Sequence, residues 1–160
     1  MGFRAFVLFL ILILSAPFSF EYGWTREPVD PPPLWVVGRT ALPIASINQA
    51  QIIHILSLDR RIWNNGHSIR VALLSDMLKK DDQWVRWLGL PSVEPFLARW
   101  IEANLIQDWP TPNRFANLDE LLEFVRQTPG AVGFTNIQPT SLPPDIRTIR
   151  IDDTESRRGS

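Results

Sequence analysis

The stretch Val125-Arg126-Gln127-Thr128-Pro129-Gly130-Ala131-Val132-Gly133-Phe134 decides the fold. Upstream of it, Asn117 and Glu120 stand at capping-box spacing, and Leu121, Leu122, Phe124 and Val125 follow as the apolar residues of the predicted helix. Pro129-Gly130 ends that helix, because proline cannot continue the hydrogen-bond ladder and glycine accepts a left-handed turn. Ala131 to Phe134 then reads as a strand, in which Gly133 removes a side chain where neighbouring structure comes close. A helix that turns directly into a strand is an element pair of an α/β domain.

Working outward, Leu34-Trp35-Val36-Val37-Gly38 is a β-branched and aromatic run between Pro33 and a glycine, and predicts a buried strand with Arg39 and Thr40 just past its carboxyl end. Asn48 and Gln51 form a second capping box, with Ile47 and Ile52 as its staple, and start a helix that runs to about Leu56. Asn64-Asn65-Gly66 marks a turn, and Ile69 to Leu74 predicts a second strand. Ser75 or Asp76 caps a helix that runs through Leu88 and stops at Gly89. From Ser92 to Ile106 the residues Val93, Phe96, Leu97, Trp100, Ile101 and Leu105 keep the 3.6-residue period, the strongest helical pattern in the chain. Thr148 to Ile151 predicts the last strand. The expected fold is therefore α/β, with helices packed on a mixed, mostly buried sheet.

The length of 160 residues suits one packed domain. Sixteen Lys and Arg against seventeen Asp and Glu leave a formal charge of −1, which excludes a polycation built for nucleic acid. With 45% hydrophobic and 21% charged residues, neither disorder nor a multi-span membrane protein is the natural reading. The chain has no cysteine, so disulfides, thiolate metal sites and cysteine nucleophiles are excluded.

Residues 1–20 carry Arg4, an uninterrupted apolar run from Ala5 to Leu14, and a small-residue exit around Ser15-Ala16. This is the order of a cleaved signal peptide, and the run is about half of the ~20 residues that a transmembrane helix needs. The expectation is export to the periplasm or beyond, with no membrane span after cleavage. Residues 21–33, with Pro28 and Pro31 to Pro33, read as a linker, 34–151 as the domain, and 152–160 as a disordered polar tail.

Nucleotide-binding glycine loops, the His-Glu-x-x-His zinc motif and the Gly-x-Ser-x-Gly elbow are all missing, and no enzymatic activity, cofactor or metal is expected. His54 and His67 read as members of a polar helix face and an exposed turn. Ser75 reads as a cap rather than a nucleophile, which would need a base and an oxyanion site. Trp35, Trp84 and Trp100 fall at apolar-phase positions and are assigned to the core, whereas Trp24, Trp63, Trp87 and Trp109 stay open as stacking platforms. In an open α/β sheet, ligands sit at the carboxyl ends of strands, where helix N-termini present free amides. That rule selects Arg39 and Thr40 after the first strand, and Ser75 to Lys80 after the second.

Several strings resemble the phosphate-type periplasmic substrate-binding proteins of ABC importers, in particular short, single-lobed relatives. They are Val36-Val37, Pro43, Asn48-Gln49-Ala50-Gln51-Ile52, Trp63-Asn64-Asn65-Gly66, Leu88-Gly89, Trp100, and the opening stretch with its Pro-Gly-Ala-Val-Gly-Phe. The resemblance covers about residues 34–151. It implies a single-lobed binding-protein-like fold, a solute-binding role and a small oxyanion as ligand, with Arg39, Thr40, Ser75 and Lys80 as candidate contacts. The partner it implies is an importer's membrane component or another envelope protein, and no nucleic acid. Where the family has a Gly-Ser anion loop and an Arg, this chain reads Ser75-Asp76-Met77-Leu78-Lys79-Lys80, so Asp76 competes for the helix amides. The alternative reading is a repurposed lobe that serves as a non-catalytic interaction module for another envelope protein or for itself.

Overall fold

The computed structural model describes residues 33–78, 83–107 and 110–152. The predicted signal segment, the linker up to residue 32, Lys80 and the tail beyond Asp152 lie outside the described residues. Strand β5 (Ala131–Thr135) is buried at every position. It follows helix α4 (Leu118–Gln127), which is capped at Asn117 by a side-chain oxygen that accepts from the Glu120 N–H. Gly130 turns the chain between them at φ +77°, and a β-carbon there would lie 2.3 Å from the Ser68 carbonyl oxygen. A β-carbon on Gly133 would lie 2.6 Å from Leu121 Cδ2 and 2.7 Å from Val37 Cγ2, so α4 packs directly on the strand backbone.

The other strands are β1 (Trp35–Arg39), β2 (Ser46–Asn48), β3 (Arg70–Leu74), β4 (Asn113–Phe115) and β6 (Ile146–Asp152). They form one six-stranded sheet in the order β2-β6-β1-β5-β3-β4. β1 is antiparallel to both of its neighbours, while β2 with β6, β3 with β4, and β3 with β5 are parallel. Five strands therefore point one way and β1 alone points the other. The sheet is mixed and the fold is α/β.

Helix α1 (Gln49–Leu56) has the complete capping box, with Asn48 accepting from the Gln51 N–H at 2.9 Å and Gln51 accepting from the Asn48 N–H at 3.0 Å. Ser75–Leu78 is a 3-10 turn, and a short helix α2 (Gln83–Trp87) comes after it, in place of the one α-helix predicted from Ser75 to Leu88. Helix α3 (Glu94–Gln107) forms where its period predicts, but it turns a different stripe inward. Phe96, Trp100 and Ala103 are buried, whereas Ile101, at 60% exposure, and Leu105, at 77%, face outward. The spacing 96, 100, 103 completes the seam, and the row one residue further on lies about 100° around the helix. β2 and β4 were not foreseen, since three residues carry too little alternation to be read. Asp152, predicted as the start of the tail, instead ends β6 and accepts hydrogen bonds from Ser46 Oγ and, at 2.9 Å, Arg150 Nε.

The core is built around three fully buried indoles: Trp63, Trp84 and Trp100. Each donates its N–H to a backbone carbonyl: Trp63 to Gly130 at 2.8 Å, Trp84 to Met77 at 3.1 Å, and Trp100 to Leu56 at 2.6 Å. An indole buried without such a partner would cost about 1–3 kcal/mol. The Trp84, Phe96 and Trp100 rings stack in series, with centroids 6.2 and 6.3 Å apart, and tie α2 to α3. Trp63 is thus structural rather than a free stacking platform. Among the described residues no helix is long and apolar enough to cross a membrane.

Candidate functional site

The reversal of β1 decides where the candidate residues fall. Trp35 pairs with Thr135 and Gly38 with Val132, so the carboxyl end of β1 lies beside the amino end of β5. Ser75 follows Leu74 at the carboxyl end of β3, which runs parallel to β5. Arg39 and Thr40 therefore sit at one end of the sheet and Ser75 at the other, separated along the strands by about five residues, or roughly 16 Å. The rule that selected both pairs applies only to Ser75, and one small ion cannot touch both. Lys80 lies outside the described residues.

At the Ser75 end, two helix starts are capped by acceptors from the chain itself. Asn48 and Gln51 close the start of α1 on themselves, while at α4 Asn117 accepts from the Glu120 N–H at 2.9 Å and Glu120 Oε2 accepts from the Ala116 N–H at 3.4 Å. Thr135, fully buried at the end of β5, uses its hydroxyl on Ile137, donating to its carbonyl at 3.2 Å and accepting from its N–H at 2.9 Å. Asp76 is exposed in the 3-10 turn. An incoming anion would have to displace acceptors that the chain supplies itself.

The Arg39 end is organised differently. Trp63-Asn64-Asn65-Gly66 forms a tight turn in which the Gly66 N–H donates to the Trp63 carbonyl at 2.9 Å and glycine takes φ +84°. Asn65 Oδ1 accepts from the His67 N–H at 3.2 Å, an Asx turn that sets the next residues. The Trp63 indole anchors this turn on the Gly130 carbonyl, and the Arg70 N–H donates to the same oxygen at 3.2 Å. Two strings that are 67 residues apart in the chain thus meet in space. Across from them, the chain leaves β1 through Arg39, Ala41, Leu42 and Pro43. Arg147 holds this loop with its Nη2 on the carbonyls of Leu42, at 3.3 Å, and Ile44.

Between the loop and the turn lies a pocket of about 70 Å³ lined by Arg39, Leu42, Asn65, His67 and Gly130, among others. Arg39 is one of the lining residues, and its Nε is buried without a hydrogen-bond partner among the described residues. A guanidinium offers five donors and cannot be neutralised at ordinary pH, so a buried N–H left over is costly until an acceptor meets it. The volume is about twice a water molecule's share of the liquid, the scale of a small oxyanion or carboxylate rather than of a nucleotide. Arg39 is where the sequence places a contact; Asn65 and His67 read there only as turn residues. Their part in the pocket depends on the Trp63 to Gly130 bond, which no local pattern displays. Thr40 is exposed and its N–H is spent on the Asp145 carbonyl at 2.9 Å. His54 lies elsewhere, with its Nδ1 3.7 Å from Asp59.

No protein-family model matches this sequence, and no curated protein matches it. Among solved structures, the chain is similar to an ABC-type phosphate transport receptor from Vibrio cholerae, with a TM-score of 0.48 and 17% sequence identity. The match covers 74% of this chain and 45% of the receptor's, so it spans under half the length of that protein.

Proposed function

We propose that this domain is a non-catalytic solute-binding lobe, exported to the periplasm or beyond, that takes one small oxyanion at the Arg39 end of its sheet. The observation that carries the reading is Arg39, which lines a pocket of about 70 Å³ and has its Nε buried without a partner among the described residues. The resemblance of the Trp63 and Pro129-Gly130 strings to phosphate-type importer receptors supports the same class of role, since these strings build that pocket. Phosphate and sulfate are the natural first ligands, because a guanidinium fork matches their geometry.

The test is thermal unfolding of the full chain with and without millimolar phosphate or sulfate at fixed ionic strength. A ligand that binds only the folded state raises Tm by a few degrees once it is well above its Kd. The reading expects that rise to vanish in Arg39→Met and to persist in Ser75→Ala and Lys80→Ala. Loss confined to the latter two would move the site to the carboxyl ends of the strands. No rise with either anion would remove the oxyanion altogether.

A second reading, an interaction module for an envelope protein or for a second copy, is favoured by one observation. Ile101, Leu105 and Ile106 project from α3 at 60%, 77% and 73% exposure. Three aliphatic side chains left in water on one helix are a common mark of a contact surface. That reading expects concentration-dependent assembly, insensitive to anions and abolished by Leu105→Glu.

A further inference from the structure

The walls of the Arg39 pocket can give more hydrogen bonds than they can take. Among its described lining residues three side chains carry N–H groups, those of Arg39, Asn65 and His67, and none carries a carboxylate. Pro43 and Pro129, in the same wall, have neither an N–H nor a polar side chain. A guanidinium has donors and no acceptor, and the Arg39 Nε is buried without a hydrogen-bond partner among the described residues.

The acceptors, by contrast, are occupied. Asn65 Oδ1 is the one side-chain oxygen among the described lining residues. It holds the His67 N–H at 3.2 Å, so the amide nitrogen is the end of Asn65 left for a ligand. The Gly130 carbonyl accepts twice, from Trp63 Nε1 at 2.8 Å and from the Arg70 N–H at 3.2 Å. The carbonyls of Arg39 and His67 accept from the N–H groups of Leu42, at 2.9 Å, and Trp63, at 2.8 Å. The Leu42 carbonyl accepts from Arg147 Nη2 at 3.3 Å. A neutral imidazole has one bare nitrogen, and a ring that turns it to a ligand withdraws the N–H it would otherwise give.

We propose, on the reading that this pocket takes an oxyanion, that it selects those carrying no proton, sulfate ahead of hydrogen phosphate. Sulfate presents acceptor oxygens alone. Hydrogen phosphate, with the same charge and nearly the same shape, has a hydroxyl that must donate. Among N–H groups and occupied oxygens that hydrogen stays unpaired, and a polar group left unpaired on binding lowers affinity by about tenfold or more.

Calorimetric titration of the full chain tests the selectivity at fixed ionic strength and mildly alkaline pH, where both ions are dianions. Fluorophosphate is the control, a dianion in which fluorine replaces the phosphate hydroxyl. Sulfate is expected to bind about tenfold more tightly than phosphate, and fluorophosphate within about threefold of sulfate. Asn65→Asp, at an exposed position, keeps an oxygen for the His67 N–H and puts an acceptor in place of the amide nitrogen. It should weaken sulfate at least about tenfold and lower the sulfate-to-phosphate affinity ratio at least about fivefold. Phosphate binding as tightly as sulfate, fluorophosphate as weak as phosphate, or an unchanged ratio in Asn65→Asp would each overturn the selectivity. If the anions still bind in those cases and Arg39→Met abolishes their binding, the oxyanion site stands and its selectivity alone falls. No saturable binding of any of these anions would overturn both.

Discussion

The two ends of the sheet handle the same problem in opposite ways. At the carboxyl ends of β2, β4 and β5, three polar groups have partners from the chain itself: Asn48 with Gln51, Asn117 with Glu120, and the Thr135 hydroxyl with Ile137. Where β1 ends, Arg39 lines a small pocket, and its Nε is buried with no hydrogen-bond partner among the described residues. An end that satisfies itself gains stability and loses its reason to bind. An end that leaves a donor unmatched gives up stability that a ligand can restore. The position of a residue after a strand therefore says less about binding than the tally of donors and acceptors around it.

The strongest way to break the contrast is at Gly130. Its positive φ and the 2.3 Å approach of the Ser68 carbonyl leave no room for a methyl group, so Gly130→Ala should cost about 3 kcal/mol or more. Urea unfolding would show it, and the anion-dependent rise in Tm should vanish with the pocket. Trp63→Phe keeps most of the packing and removes one donor to the Gly130 carbonyl. It should cost about 1–2 kcal/mol and weaken the anion effect without erasing it, because the Arg70 N–H still holds that oxygen.

The self-satisfied end offers a sharper test. Asn117→Ala and Asn48→Ala should each cost about 1 kcal/mol by denaturant unfolding, and the Arg39-dependent anion response should stay intact in both. An anion response that disappears with either cap would make the two ends one coupled site. The smallest effect is expected at Glu123, on the exposed face of α4, where Arg126 Nε donates at 2.8 Å and holds the carboxyl pKa below its ordinary value of 4.5. A lowered folded pKa means that stability is present above the ordinary value and is lost as pH falls through the folded one. The small difference between the parent and Glu123→Gln should therefore fade below pH 4.5 and be unaffected by phosphate at any pH.

Local signals carried most of the fold. The Asn48 to Gln51 capping box, the Asn117 cap, the Pro129-Gly130 stop and the valine-rich strands are each decided by residues within a few positions of one another and appear where the pattern puts them, although Glu120 does not complete a box at Asn117 and accepts from the Ala116 N–H instead. What the pattern could not carry is non-local. The direction of β1 depends on strands about 100 residues away, and this separates Arg39 from Ser75. The inward stripe of α3 is chosen by the seam of Phe96, Trp100 and Ala103 against the rest of the core, so Ile101 and Leu105 share its period but not its burial. Arg39 was reached through a rule that does not hold for its strand, while Asn65 and His67 enter the pocket only through a contact spanning 67 residues.

The order of strands bears on how the chain is made. β1 is the first of the described strands to be synthesised, yet both strands that flank it, β5 and β6, come about 100 residues later. A nascent chain that has reached the end of α4 holds a valine-rich segment with neither of its partners, so the middle of the sheet can close only after β5 and β6 have been made. Chains stopped at Gln127 should leave the β1 amides open to hydrogen exchange, and only those extending through β6 should protect them.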